Sequence, residues 1–153
     1  MSGEVFTIGY ERGSLAQVIA ALQAARIDTL VDVRALANSR RAGFSKGMLS
    51  ASLEAAGIEY RHMKALGTPK PGREASRRGD LETFERIVNA ALDEPAAQLA
   101  LAELGEMAGA RRVCLLCLEH DVRYCHRRHV AERLVDRGGA RRITHLAPKA
   151  DDP

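Results

Sequence analysis

The chain has 153 residues and a formal net charge of +3 at pH 7, with 46% of its residues hydrophobic and 28% charged. This balance is ordinary for a folded protein and excludes a largely disordered chain, so we interpret residues 1–153 as a single domain. No apolar stretch reaches the about 18 residues that cross a bilayer, and the first residues lack a signal-peptide pattern. The three cysteines have no disulfide-framework spacing. We therefore expect a cytoplasmic protein with free thiols and no membrane partner.

Strands and helices are predicted to alternate along the chain. β-Prone apolar runs predict strands at 5–10, 29–34, 59–63, 112–119 and 142–146. Helical spacing of apolar residues predicts helices at 15–26, 46–56, 81–92, 95–109 and 125–137, with loops at 35–45 and 65–79. The alternation predicts an α/β fold, namely a single three-layer Rossmann-like domain with a mostly parallel sheet of about five strands and helices on both faces. Right-handed crossovers would place the strand-to-helix loops on one edge of the sheet.

The most informative segment is 113–128, where a buried strand, a short polar loop and a helix start follow one another. Proteins of this class commonly place their chemistry at such strand ends. Alternation along the strand directs Cys117 and Glu119 to one face and Cys114 to the other, where we interpret Cys114 as a small core residue. Cys125 comes at the helix N-terminus, which lowers the pKa of a thiol, so it is the better candidate for a reactive thiol.

The start of the last predicted helix concentrates imidazole and guanidinium groups. Cations such as His126 and Arg127 in a first turn oppose the helix dipole, and this placement predicts that an anion binds there. In the alternative, Arg127 points into water and Cys125 packs inside the core. A further alternative is a zinc or other transition-metal site formed by Cys117, Cys125 and His126. Apart from this alternative metal site, we expect no cofactor.

The loops after the first two predicted strands carry further polar residues. These residues are Gly9, Tyr10, Asp32, Arg34, Ser39 and Arg40. In a parallel sheet these loops converge with the segment described above. Asp32 is costly to bury in an apolar strand unless it is paired. Arg34 lies two positions on and shares its strand face, so a local ion pair and a functional carboxylate both stay open.

Seven motifs, taken together and in order, resemble a known family. They are Thr7-Ile8-Gly9-Tyr10, Leu30-Val31-Asp32-Val33-Arg34, Ser39-Arg40 with Phe44, Gly57-Ile58-Glu59-Tyr60, Leu66-Gly67-Thr68-Pro69-Lys70, Cys114-Leu115-Leu116-Cys117-x-Glu119 and Cys125-His126-Arg127. The chain resembles the DUF488 family, small bacterial and archaeal proteins of unassigned function, some of which have been labelled as DNA-repair related. The resemblance implies a compact Rossmann-like α/β domain.

The resemblance also implies roles for particular residues. It highlights Cys117, Glu119, Cys125, His126 and Arg127. Within 68–73 it implies that Lys70 and Arg73 help to close over a ligand. Tyr10 stands where many relatives have His, which argues against a mechanism that needs an imidazole in the first loop.

Three functions are compatible with this pattern. The first is an enzyme acting on a nucleotide or a nucleic-acid-derived, phosphate-bearing substrate, with DNA repair as one setting. The second is a non-catalytic module that binds nucleotide or nucleic acid, and the third is a metal-binding or redox protein. The candidate catalytic residues are Cys117, Glu119, Cys125, His126 and Asp32, and the candidate anion-binding residues are Gly9, Tyr10, Arg34, Ser39, Arg40, Lys70 and Arg127. The expected partner is an anionic small molecule or nucleic acid.

Overall fold

A five-stranded parallel sheet forms the centre of the computed structural model, which describes residues 3–149. The strands are β1 (Glu4–Gly9), β2 (Thr29–Asp32), β3 (Glu59–His62), β4 (Val113–Cys117) and β5 (Arg142–Leu146). Their order across the sheet is β3-β2-β4-β1-β5, and every neighbouring pair is parallel. The predicted α/β class with five strands is confirmed, and the described sheet is wholly rather than mostly parallel.

Helices cover both faces of this sheet. They are α1 (Leu15–Ala24), α2 (Lys46–Ala55), α3 (Lys70–Arg77), α4 (Leu81–Leu92), α5 (Pro95–Ala110) and α6 (His126–Asp136). The first two pack on one face, and their buried residues include Leu22 and Leu53. The others pack on the opposite face, where the core includes Phe84, Leu104 and Leu134. The predicted three layers are confirmed, and none of the helices in residues 3–149 is long and apolar enough to span a membrane.

Side chains alternate along β4 between the two cores. Cys114 and Leu116 belong to the core beneath α1 and α2. Leu115 and Cys117 belong to the core beneath α4, α5 and α6. All of β4 is buried, as a central strand of a parallel sheet should be. The interpretation of Cys114 as a small core residue is confirmed, and burial raises the pKa of its thiol.

The prediction of a loop over 65–79 is wrong in part, because Lys70–Arg77 form helix α3. Its prolines and glycine indicated irregular backbone, but Pro69 and Pro71 lie at the helix start. A missing N–H costs little there, because N–H groups of the first turn have no acceptor within the helix. Gly72 allows the close packing, since a Cβ on it would lie 2.5 Å from Thr68 Cγ2 and 3.0 Å from Ile87 Cγ2. The small residue therefore lets α3 lie directly on α4.

The carboxyl ends of β1, β2 and β4 meet at one edge of the sheet, and the chain continues in register beyond them. The backbone N–H of Tyr10 donates to the Cys117 carbonyl at 3.2 Å, and that of Val33 donates to the Leu116 carbonyl at 3.2 Å. Glu11 donates to the Leu118 carbonyl at 2.9 Å. The segments that follow the three strands are thereby held side by side, as the parallel topology predicts.

Candidate active site

A cavity of about 510 Å³ opens at this edge of the sheet. The residues that line it come from the end of β4, from the segments after β1, β2 and β4, from α3 and the residues just before it, and from α4 and α6. They include five of the predicted site residues, namely Tyr10, Arg34, Cys117, Glu119 and His126. The structure therefore brings together side chains as far apart in the chain as Tyr10 and His126, because the parallel crossovers return each strand end to the same edge.

Two thiols and an imidazole form a cluster beside this cavity. Cys117 ends β4, Cys125 immediately precedes α6, and His126 is the first residue of α6. One ligand atom from each of the three lies within 4.8 Å of the other two, and all three residues are buried. The cluster could hold a metal ion, as well as act through its thiols. The sequence left open whether Cys117 and Cys125 meet, and the structure brings them together with His126.

The orientation of the His126 ring is set by the end of β2. Nε2 donates to the carbonyl oxygen of Val33 at 2.6 Å, and Nδ1 lies 3.5 Å from Cys117 Sγ. A carbonyl oxygen only accepts, so in the neutral imidazole the proton is on Nε2 and Nδ1 presents its lone pair. The imidazole is thus held so that its basic nitrogen faces the thiol.

The electrostatics of the thiol pair favour ionisation of Cys125 over ionisation of Cys117. Burial acts to raise the pKa of Cys125, but hydrogen bonds with Cys117 and His126 and the charges of His126 and Arg127 hold it well below its ordinary value. The pKa of Cys117 is well above its ordinary value, because its thiol is hydrogen-bonded to Cys125 and desolvated. Burial would lower the pKa of His126, but its hydrogen bond with Cys125 raises it overall.

Glu119 places a carboxyl group next to the accessible thiol. Cys117 Sγ donates to Glu119 Oε2 at 3.5 Å. Burial raises the pKa of Glu119 to about 7, and the negative charge of Cys125 adds to the rise. A carboxyl group that titrates near neutral pH can both accept and donate a proton. Glu119 therefore has the position and the chemistry of a general acid or base.

Asp32 and Arg34 are partners of each other. Arg34 donates to both carboxylate oxygens of Asp32, and the Asp32 side chain is wholly buried. Tyr60 donates a further hydrogen bond to Asp32 at 2.6 Å, while Arg34 also donates to the Tyr10 hydroxyl and to the carbonyl of Phe44. The local ion pair is confirmed as the arrangement, and Asp32 does not line the cavity.

The remaining anion-binding candidates lie away from the cavity lining. Arg127 is 1% exposed, and its guanidinium donates to Thr7 Oγ1 and to the carbonyls of Glu119 and His120. It does not point into water, and three of its five N–H groups already have acceptors within the protein. Gly9 serves close packing, because a Cβ on it would lie 2.0 Å from the Glu119 carbonyl oxygen.

Three further candidates are loop or surface residues. Ser39 Oγ accepts from the backbone N–H of Arg41 at 3.1 Å, which orders its own loop. Arg40 and Lys70 are exposed. The neighbouring Arg41, which was not predicted, binds the first loop by donating to the carbonyls of residues 10, 11 and 13. The geometry thus gives these three no contact with the cavity.

Among the cationic side chains that line the cavity, sequence reasoning named Arg34 but not Arg77. Arg73 and Arg77 of α3 line it, together with Ser76 between them. The two arginines are four residues apart, which is the spacing of one helix face. That spacing is visible in the sequence but carries meaning only once 70–77 is recognised as a helix. Arg73 was connected to a ligand only through the family resemblance.

The fold and the site define an α/β domain with a wholly parallel described sheet, whose carboxyl edge carries a cavity with a Cys–Cys–His–Glu cluster. The sequence model of the DUF488 family, a domain of unknown function, matches residues 14–134 of the chain. The chain belongs to the DUF488 family, and the resemblance drawn from the seven motifs is confirmed. No curated protein and no solved structure matches it.

Proposed function

We propose that the protein is an enzyme that acts on a small phosphate-bearing substrate of the nucleotide class, bound in the cavity at the carboxyl edge of the sheet. The cavity volume of about 510 Å³ lies within the range of small-molecule sites. The observation that carries the proposal is that this one cavity is lined both by the guanidinium groups of Arg73 and Arg77, which have no carboxylate partner among residues 3–149, and by a thiol–imidazole–carboxyl cluster. The first can hold an anion and the second can transfer protons or attack.

The guanidinium groups of α3 supply the anion-binding part of the cavity. Arg73 donates one hydrogen bond, to the Thr68 carbonyl at 2.8 Å, and has no carboxylate partner among residues 3–149. Arg77 has no side-chain partner within the same described part of the chain. A guanidinium presents a planar fork of N–H groups that matches the geometry of phosphate oxygens. Arg73 and Arg77 are therefore the side chains that we expect to bind phosphate.

The acidic residues of the cavity do not cancel these charges. Glu11 accepts from the backbone N–H of His120 at 3.0 Å. Asp121 is paired with Arg123 at 2.7 Å, and hydrogen bonds from Arg123 lower the pKa of Asp121 to about 2. Asp121 thus has its partner on its own loop, and Glu11 accepts from the loop after β4. The guanidinium groups on α3 remain available to a ligand.

Apolar side chains beside the cavity suit the uncharged part of a nucleotide. Leu36 is 55% exposed and Leu118 is 39% exposed, and both contribute to the lining with Tyr124. Exposed apolar groups around a concave site commonly mark ligand contact. A flat heterocycle can pack on them or stack on the tyrosine ring while its phosphate reaches α3.

The reacting part of the substrate would then lie over Cys117 and Glu119. Cys117 is the thiol that lines the cavity, and the lone pair of His126 Nδ1 faces it at 3.5 Å. A nucleophile or proton donor next to an oriented base is the recurring arrangement of hydrolytic and transfer enzymes. Cleavage of a phosphate ester or an N-glycosidic bond is the reaction class that this arrangement serves.

A turnover assay over a panel of nucleotides, nucleosides and phosphate esters tests the proposal. Glu119→Gln removes the proton-transfer group while keeping its shape, and we expect kcat to fall by about 100-fold or more. Arg77→Gln should raise KM by about 10-fold through the loss of one charged contact. Arg78→Gln is the matched control, because Arg78 is adjacent but lies outside the cavity lining. Equal background turnover in wild type and Glu119→Gln would overturn the proposal, and binding without turnover would show a binding module instead.

A further inference from the structure

We infer that Cys117, Cys125 and His126 bind a zinc ion that keeps a coordination position open to the cavity, with Glu119 as the base for the water bound there. The inference deepens the proposed function, on which the role of the bound water rests. The binding of zinc itself is a separate claim. It concerns three donors that come from the end of β4 and the start of α6.

The distances in the cluster agree with tetrahedral zinc coordination. Zinc binds cysteine sulfur at about 2.3 Å and histidine nitrogen at about 2.0–2.1 Å, so a tetrahedral angle places sulfur and nitrogen about 3.5–3.6 Å apart. The distance from Cys117 Sγ to His126 Nδ1 is 3.5 Å. The pairs that include Cys125 Sγ are also within 4.8 Å. Small side-chain movements therefore suffice to bring all three donors to one ion.

The imidazole is prepared for a metal by its second nitrogen. Histidine ligands commonly donate their other ring N–H to a carbonyl or carboxylate, which fixes the tautomer and the ring plane. His126 does so through Nε2, which donates to Val33 at 2.6 Å. The nitrogen that carries the lone pair is then the one that faces the sulfur atoms.

The position of Cys125 favours a metal site over a site in which Cys117 acts as a nucleophile without a metal. A Cys117–His126 pair needs no second thiol, yet Cys125 is fully buried in the same cluster and does not line the cavity. A sealed thiol cannot reach a substrate, but it can complete a set of ligands. Two thiolates would also match the charge of a divalent zinc ion.

The open position is argued from which residues reach the cavity. Cys117, His126 and Glu119 line it, and Glu119 Oε2 is 3.5 Å from Cys117 Sγ. Three protein ligands with water as the fourth is the pattern of catalytic zinc, whereas structural sites are closed by four.

The chemical step that follows is hydrolytic. The Glu119 carboxylate takes a proton from the zinc-bound water, and the hydroxide oxygen forms a bond to the electrophilic atom of the substrate. The bond to the leaving group breaks with its electron pair, and Glu119 returns the proton to that group. No oxidant or reductant is required.

Zinc binding by untagged, chelator-treated protein tests the inference with zinc alone as the probe. Elemental analysis after dialysis against zinc should give one equivalent per chain, and titration calorimetry should give the affinity. Replacing zinc by cobalt(II) should produce a thiolate-to-cobalt charge-transfer absorption, which reports sulfur ligands without any substitution. Absence of stoichiometric zinc from the folded protein, or a cobalt spectrum without the thiolate band, would overturn the inference.

Two cysteine variants form a matched pair for the same measurement. Cys125→Ser should weaken zinc binding by more than the about 10–100-fold that loss of a second-shell partner costs. Cys114→Ser is the control, because this third buried thiol lies in the core on the other face of the sheet. Equal affinity in both variants would contradict the inference, and if Cys125→Ser does not fold, the cobalt spectrum of wild type decides.

The experiments distinguish failure of the zinc inference from failure of the proposed enzymatic function. Glu119→Gln should keep one equivalent of zinc and lose turnover. Turnover that persists at full rate after zinc is removed would refute the role of zinc and its bound water in catalysis, while leaving the proposed enzyme with Cys117 as nucleophile. Zinc binding without turnover on the panel would support the site and refute the proposed function.

Discussion

Arg34 and Asp32 form a doubly hydrogen-bonded ion pair inside the domain, with Nε donating to Oδ1 at 2.8 Å and Nη2 donating to Oδ2 at 2.7 Å. The backbone N–H of Arg34 donates to the same carboxylate at 3.1 Å, and Tyr60 of β3 donates at 2.6 Å. Burial raises the pKa of Tyr60, and the hydrogen bond to Asp32 and its negative charge add to the rise, while Arg34 acts in the opposite direction. Every oxygen of Asp32 is thus used to fix the end of β2 to its neighbours.

The first prediction is that Asp32→Asn is strongly destabilising. It leaves the Arg34 guanidinium buried without its anionic partner, and breaking a buried pair in this way costs about 3–5 kcal/mol of the free energy of unfolding. Urea denaturation followed by circular dichroism measures the change. Glu103→Gln is the control, because its pair with Arg61 is half exposed and is worth less than about 1 kcal/mol. Equal effects of the two substitutions would contradict the assigned role.

The second prediction concerns Arg127, which is buried and donates hydrogen bonds to carbonyl and hydroxyl oxygens, with no carboxylate partner among residues 3–149. Arg127→Met keeps most of the side-chain volume but leaves the carbonyls of Glu119 and His120 without their donors. Charge-assisted hydrogen bonds contribute about 1.5–3 kcal/mol each, so we expect a loss of about 3 kcal/mol or more. Thermal unfolding measures it. Unchanged stability together with weakened phosphate binding would instead support Arg127 as an anion ligand.

These two arginines show where sequence reasoning succeeds and where it stops. The spacing of Asp32 and Arg34 along one strand made their pairing a stated alternative, because strand geometry is local. The partners of Arg127 are carbonyl oxygens of the loop after β4, and nothing in the residue types of a loop predicts where its carbonyls point. The sequence therefore could not show that Arg127 is buried whereas Arg73 and Arg77 line the cavity.

The same limit applies to the elements themselves. The apolar run of β4 and the alternation of strands with helices were sufficient to predict the α/β class. The sheet order β3-β2-β4-β1-β5 was not predicted, because it depends on which strands lie side by side and exchange backbone hydrogen bonds. Helix α3 was missed because Pro71 and Gly72 lower helix propensity, while its packing on α4 is a tertiary contact. The polar residues after β1, β2 and β4 could be grouped in advance because parallel crossovers return the strand ends to one edge of the sheet.

The third prediction is a pH dependence of stability that originates from His129. Its ring is buried edge-on against Phe84, and burial followed by the charge of Arg128 lowers its pKa, while Glu132 and Glu85 act in the opposite direction. In the unfolded chain the pKa is the ordinary 6.5, so the unfolded state binds the proton more readily. The stability that neutral His129 contributes is therefore complete above pH 6.5 and is lost as the pH falls through its folded pKa.

Comparison of wild type with His129→Gln in metal-free buffer isolates this effect. The free energy of unfolding from urea denaturation at pH 7.5, 6.5 and 5.5 should fall less steeply toward acid in the variant. Parallel curves for the two proteins would show that His129 does not contribute.

The fourth prediction uses two glycines whose surroundings differ. A Cβ on Gly9 would lie 2.0 Å from the Glu119 carbonyl oxygen and 2.9 Å from Arg127 Nη1, so Gly9→Ala must displace the loop that carries Glu119. Overpacking of this kind costs about 1–3 kcal/mol or more, and the displacement should also weaken any activity that depends on Glu119. Gly47 in α2 has no atom within 4 Å of its added Cβ, so Gly47→Ala should stabilise the protein by about 0.5–1 kcal/mol. Thermal unfolding of the two variants should show lower stability for Gly9→Ala and higher stability for Gly47→Ala than for wild type. A stable, fully active Gly9→Ala protein would show that the loop after β4 needs no close approach to β1.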